Sequence, residues 1–135
     1  MRIMAIDYGD ARIGLAVSDP SGMICGDAWT LKEWDMERAA STIAEEAKNR
    51  EVAKLILGLP KNMDGSLGSR AEKSMEFKSL LESASGLEVI LWDERRTTVD
   101  AHRILHQNGK KMKKHRETVD AVAATLILEG YLGSV

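Results

Sequence analysis

The chain has 135 residues, 44% of them hydrophobic and 30% charged, with a formal net charge of -2. That is enough chain for one domain with a real core and short for two, and the balance excludes both a disordered polyelectrolyte and a membrane-embedded protein. No apolar run approaches the roughly 18 residues a spanning helix needs, and the start lacks the basic-then-apolar pattern of a signal peptide, so a single domain over residues 1–135, cytoplasmic and without a membrane partner, is expected.

Residues 3–6 form an apolar run that reads as a buried strand, yet the run ends on Asp7, followed by Tyr8 and Gly9. Stripping water from an ionised carboxylate costs several kcal/mol unless hydrogen bonds, an arginine or a metal ion compensate. Gly9-Asp10-Ala11 supplies turn chemistry, and RIGLAVSD reads as a second strand running back against the first. Asp19-Pro20-Ser21-Gly22 marks another turn, and MICGDAWTL, interrupted by Gly26, reads as a third strand. Asp35 is placed to cap a helix whose apolar positions Met36, Ala39, Ala40, Ile43, Ala44 and Ala47 keep helical spacing, with its end near Asn49.

KLILGLP is a continuous apolar run, the mark of a parallel, central strand covered on both faces. It leads into the Gly-rich NMDGSLG, after which Ser69 and Glu72 form a capping-box pattern opening a helix through Met75, Leu80 and Leu81 toward Ala84. LEVILW repeats the buried-strand pattern and stops at Asp93-Glu94-Arg95-Arg96. A helix is expected from Thr97 to a stop at Asn108-Gly109, followed by the basic tract KKMKKHR. A last helix is expected from about Thr118 to Tyr131, with Val119, Val122, Ala123, Leu126 and Ile127 as its inward stripe. The expected architecture is α/β: a five-stranded mixed sheet flanked by helices, with antiparallel hairpin strands on one side of the first strand and parallel strands on the other. In such sheets sites collect at the carboxyl ends of the parallel strands, where Asp7 and the Asp93-Glu94 pair fall.

Taken singly, each acid has a structural explanation. Asp7 can cap its turn or pair with Arg12, Asp93 and Glu94 can be a solvated strand end, and Asp120 can be a first-turn acid favoured by the helix dipole. Taken together, three segments distant in sequence deliver acids to one edge of one sheet, and clustered carboxylates repel unless a cation neutralises them. With Cys25 the only cysteine and three histidines in the chain, an internal disulfide and a cysteine-based zinc cluster are excluded, and hard oxygen donors favour magnesium or manganese.

Lys110, Lys111, Lys113, Lys114 and Arg116 make a local basic surface, read either as a solvated loop or as a phosphate contact that gives affinity without sequence choice. His115 inside it is read as a bystander to the chemistry. Arg12, Arg70, Arg95 and Arg96 are each read either as backbone-phosphate contacts or as ion-pair partners of Asp10 or Asp93. NMDGSLGSRA is either a phosphate-gripping loop or an ordinary strand-to-helix connection. Trp29, Trp34 and Trp92 offer faces on which bases could stack, Trp92 beside LEVIL being better read as core.

DYGDARIGLAVSD, GLPKNMDGSLGSRA, DERRTT and VDAVAATLIL, in that order and at these ends of the elements, resemble the YqgF family, also called RuvX, of the ribonuclease H-like superfamily. The resemblance covers essentially the whole chain, and its specificity lies in the ordered set. It implies a ribonuclease H-like fold and a metal-dependent nuclease, a hydrolase in which Asp7, Glu94 and Asp120 are the acidic ligands, with Asp93 as the alternative to Glu94. Mg2+ or Mn2+, two ions, would be the cofactor. The basic tract corresponds to the family's variable loop before the last helix, and with Arg12 and Arg95 it would contact nucleic acid. The implied substrate is structured RNA, the precursor of 16S ribosomal RNA at its 5′ end. The rival is branched DNA, as for a Holliday junction resolvase. An actin-like nucleotide binder would need a second lobe for which this length leaves no room, and a non-catalytic RNA-binding module would have no use for all three acids. Oligomeric state has no signature in the sequence.

Overall fold

A computed structural model describes residues 1–62, 64–94 and 116–135, the side chains of 116–119 excepted. The expected helix from Thr97, and with it Arg95, Arg96, Lys110, Lys111, Lys113, Lys114 and His115, lies outside the described residues, as does the side chain of Arg116.

Chain order gives β1 (Arg2–Asp7), β2 (Arg12–Ser18), β3 (Cys25–Lys32), α1 (Met36–Asn49), β4 (Val52–Leu59), α2 (Ser69–Ser85), β5 (Val89–Asp93) and α3 (Arg116–Ser134). The five strands form one sheet in the order β3-β2-β1-β4-β5. β1 pairs antiparallel with β2 and β2 with β3, whereas β1–β4 and β4–β5 are parallel. The hairpin and the crossover strands thus flank a central β1, as the sequence order predicts.

Alternation along the strands sorts the core into two layers. Met4 and Ile6 of β1, with Ile13, Leu15, Val17, Leu55 and Leu57, pack beneath α1 and α2, where Ile43, Phe77 and Leu81 close the layer. Ile3 and Ala5, with Ala16 and Ile56, face the other way and pack under Ala124, Ile127, Leu128 and Tyr131 of α3. β1 and β4 are therefore covered on both sides. Among the described residues no helix is long and apolar enough to cross a membrane.

Two local expectations change. α2 begins one residue earlier than a Ser69 cap allows: Gly68 is its N-cap, no side chain caps it, and Glu72 N donates to Gly68 O at 3.1 Å. Ser66, Asp64 and Asn62 instead spend their side chains on each other inside the preceding loop. The inward stripe of α3 is also rotated. Of the expected set, Ile127 belongs to the sheet-facing layer, Val122 and Leu126 are buried, Ala123 is half-buried, and the Val119 side chain lies outside the described residues. AVAATLIL is apolar almost all round, so its spacing alone cannot select a face. By contrast, Asp35 caps α1 as expected, its Oδ1 accepting from Arg38 N at 3.0 Å.

Candidate active site

β1 ends at the middle of one sheet edge, and alternation decides what its last residue meets. Asp7 shares parity with Ile3 and Ala5, so its side chain belongs to the α3 face, while Tyr8 turns to the other face and packs on Phe77 with ring centroids 4.4 Å apart. On β5, Ile90 and Trp92 pack in the α3 layer and Val89 in the opposite one. Glu94 follows the parity of Ile90 and Trp92, whereas Asp93 shares that of Val89. The geometry accordingly brings Glu94, not Asp93, into contact with Asp7, and the two side chains are hydrogen-bonded. Burial first, then the Glu94 hydrogen bond and charge, push the Asp7 carboxyl well above its ordinary 3.8, against a smaller opposing pull from the Arg70 guanidinium.

Two glycines make this crowding possible. Gly14 on β2 is the direct cross-strand partner of Asp7, and a Cβ on it would lie 2.0 Å from the backbone oxygen of Asp120. Only a residue without a side chain lets α3 come down onto the sheet there, which sets Asp120 beside the strand pair that carries Asp7. Gly58 on β4 plays the same part for Glu94: a Cβ would sit 2.7 Å from Glu94 Oε1 and 2.6 Å from Ile127 Cδ1. β4 lies between β1 and β5, so the absence of a side chain at Gly58 opens the path along which Glu94 reaches back to Asp7. One oxygen of Asp120, Oδ2, is fully buried. The helix begins at Arg116, so Asp120 sits a full turn in, beyond the range in which the helix dipole favours an acid.

The donor set is entirely carboxylate, suited to hard divalent ions. A divalent cation between them would offset the mutual repulsion of the Asp7 and Glu94 carboxylates. Among the described residues no group of three acids, cysteines or histidines stands close enough together to hold a metal ion. Asp7 and Glu94 are in contact, while the main chain of Asp120 sits over Gly14, the cross-strand partner of Asp7.

Of the cations read as nucleic-acid contacts, Arg12 and Arg70 are described to their side chains; Arg12 opens β2 opposite Lys32 of β3. The predicted pairing of an arginine with Asp10 does not occur among the described residues, where Asp10 is taken by Lys73 at 3.0 Å. Arg70, in the first turn of α2, lines two clefts. A small one of about 70 Å³ is shared with Tyr8, Gly9, Asp10 and Lys73, and a larger one of about 320 Å³ with Pro60, Lys61, Asn62, Gly68 and Ser69. The tryptophans divide as well. Trp92 packs edge-on to Tyr131 with centroids 6.2 Å apart, as core. Trp29 lies under the Arg50 guanidinium at 4.1 Å, and Trp34 is 81% exposed. The glycines at 14 and 58 are the site residues that sequence reasoning missed. The signal for them was there, two glycines inside otherwise unbroken apolar strands, a pattern that marks close approach of another group.

Residues 1–134 match the family described as RuvX: Holliday junction resolvase. A protein of Acetivibrio thermocellus named "Putative pre-16S rRNA nuclease" is 46% identical over 137 residues, covering 99% of this chain and 96% of the relative. One of the same name from Halothermothrix orenii is 44% identical over 132 residues, covering 98% and 94%. Among solved structures, the RuvC of T. thermophilus in complex with a Holliday junction substrate superposes with a TM-score of 0.66 at 14% identity, covering 100% of this chain and 98% of that one. The Holliday junction resolvase of fowlpox virus does so with a TM-score of 0.68 at 15% identity and full coverage of both. At such identities these two structures speak for the fold, which is the ribonuclease H-like one.

Proposed function

The chain belongs to the RuvX family, and from that premise we propose that residues 1–135 form one cytoplasmic nuclease domain that hydrolyses phosphodiester bonds in the precursor of 16S ribosomal RNA. The observation that carries the reading is the Asp7–Glu94 contact at the carboxyl edge of the sheet, with Asp120 seated beside it over Gly14. Relatives named for pre-16S rRNA at 46% and 44% identity support the choice of RNA.

In this reading Asp7, Glu94 and Asp120 would hold two Mg2+ or Mn2+ ions, which when bound supply Lewis acidity toward water and phosphate oxygens. The protein's own contribution is positional. Asp7 is fixed at the end of the central strand, Glu94 reaches it over Gly58, and the helix that bears Asp120 is docked on Gly14. Burial and Glu94 raise the proton affinity of the Asp7 carboxyl, which opposes its use as a ligand, so loading would be favoured as pH rises. Arg12, Arg95, Lys110, Lys111, Lys113, Lys114 and Arg116 would bind backbone phosphates and carry most of the affinity without reading sequence.

The family description favours one second reading, resolution of branched DNA, for which the same acids would serve. Purified protein with magnesium, given a precursor 16S RNA fragment and a four-way DNA junction side by side, separates the two. RNA cleaved near the mature 5′ end, with the junction left intact and Asp7→Asn inactive, is the expected result. Cleavage of the junction alone would replace the RNA reading with the DNA one.

A further inference from the structure

We propose that Arg70 anchors a backbone phosphate of the nucleic acid at the end of β1, where the two clefts it lines bring the chain of phosphates up to Asp7. The assignment rests on the nucleic-acid reading above and adds to it a contact on the α2 side of the sheet, remote in sequence from the basic tract.

Much of the positive charge near the two clefts is already committed to ion pairs. Around the small cleft, Lys73 is held by Asp10 at 3.0 Å, so that pair contributes little net field. On the rest of α2 and on α1, Lys78 is held by Glu82 and Arg38 and Arg50 by their neighbouring acids. Arg70 enters no salt bridge among the described residues, and neither does Lys61 across the larger cleft. The available positive charge of both clefts is therefore Arg70 and Lys61. Arg70 is exposed, so its planar fork is free to turn, and a guanidinium meets a phosphate with two parallel hydrogen bonds where a lysine offers a point charge.

Place comes next. The small cleft is floored by Tyr8, Gly9 and Asp10, the residues that directly follow Asp7, and the larger one runs between residues 60–62 and 68–70, beside the end of β4. Both open at the carboxyl edge of the parallel strands. Arg70 is the lining residue they share, and its charge reaches Asp7. A phosphate held there lies next to the acids, so the contact fixes how the backbone crosses the sheet edge. Phosphate contacts of this kind set register and orientation, not sequence preference. The small cleft's Asp10 is balanced by Lys73, which leaves an anion arriving at Arg70 without a bare carboxylate opposite it.

The test uses the full chain and a labelled single-stranded RNA of mixed sequence. Binding is measured in EDTA across a salt series, and cleavage separately with magnesium. Arg70→Gln is expected to bind several-fold more weakly, with the slope of log K against log salt reduced by about 0.7 for one lost contact on a single strand. At saturating RNA its cleavage rate should fall as well, because the backbone is no longer held against the acids. Arg70→Lys should recover the salt slope but not the full rate, a split that loss of a structural residue would not produce. Lys61→Gln, on the far wall of the larger cleft, should lower affinity with a smaller effect on rate. Affinity and slope at parental values in Arg70→Gln would overturn the proposal, and parental cleavage alongside would leave the nuclease reading standing. A parent that binds RNA through Arg70 yet cleaves neither RNA nor DNA with any divalent ion would leave the anchor standing and sink the nuclease. A parent that binds no nucleic acid would overturn both.

Discussion

Asp7 holds a strongly perturbed charge, and its sign can be followed into stability. Its folded pKa lies above the ordinary 3.8 because of burial and then Glu94. Ionising it therefore counts against the fold: nothing is lost below the unfolded value, and the loss grows as pH climbs through the raised one. In EDTA, Asp7→Asn should melt higher than the parent at pH 7 and alike at pH 3, and magnesium should raise the melting temperature of the parent only. Thermal melts at the two pH values, with and without the ion, check this. An equal magnesium shift in Asp7→Asn would count against the site. Asp19 behaves oppositely. Ser21 Oγ, then the backbone N–H groups of Met23 and Ile24, hold it down to about 2 in the turn before β3. Its contribution is complete above 3.8 and disappears as pH falls toward 2, so Asp19→Asn should flatten that acid limb of a pH–stability profile. The sequence named Asp7 correctly as anomalous but left Asp93 and Glu94 undecided, because alternation beyond a strand's last residue depends on where the strand stops. The Asp7–Glu94 hydrogen bond was equally out of reach, being a property of distance.

At the level of elements, the strands announced themselves and the helix faces did not. β1, β4 and β5 are short apolar runs bounded by polar residues, and Asp35 marks the start of α1 with a cap that the structure contains. α3 is nearly uniform in polarity, so its docking face is fixed by something the pattern does not display, the missing side chain of Gly14 under Asp120. Gly14→Ala drives a methyl into backbone and should destabilise the fold by about 1–3 kcal/mol or more, read as a lowered urea midpoint. Gly58→Ala differs in kind, since its new methyl meets the end of the Glu94 side chain, which can swing away. It should change the midpoint less while abolishing the magnesium-induced rise in melting temperature. If Gly58→Ala keeps that rise, Glu94 is not held in place by the gap over β4. The false cap at Ser69 has a similar lesson. A capping-box pattern is a statement about spacing, and the loop residues Asn62, Asp64 and Ser66 were hydrogen-bonding one another and not the helix.

For the molecule as a whole, sheet order followed from connection rules alone: hairpins to one side of β1, crossovers to the other. That order puts the ends of β1 and β5 on one edge with β4 between them, and the α3 layer above, so the meeting of Asp7 and Glu94 is a consequence of topology before it is one of chemistry. The proposed role of the basic tract in phosphate binding is tested at the same scale. Replacing Lys110, Lys111, Lys113 and Lys114 with Gln should weaken RNA binding about equally for unrelated sequences and flatten its salt dependence, with little change in melting temperature. An unaltered slope would make the tract a solvated loop.

In the proposed mechanism the acids serve the chemistry and the cations serve binding, and Asp120 separates the two roles because asparagine keeps its shape and leaves the main-chain seat on Gly14 untouched. The measurement is single-turnover cleavage of a labelled precursor 16S RNA fragment by Asp120→Asn beside the parent, with RNA affinity taken from the same preparations. Cleavage nearly abolished, with affinity within a few-fold of the parent, is the predicted result. A folded Asp120→Asn protein that cleaves the RNA at the parent rate would contradict the claim.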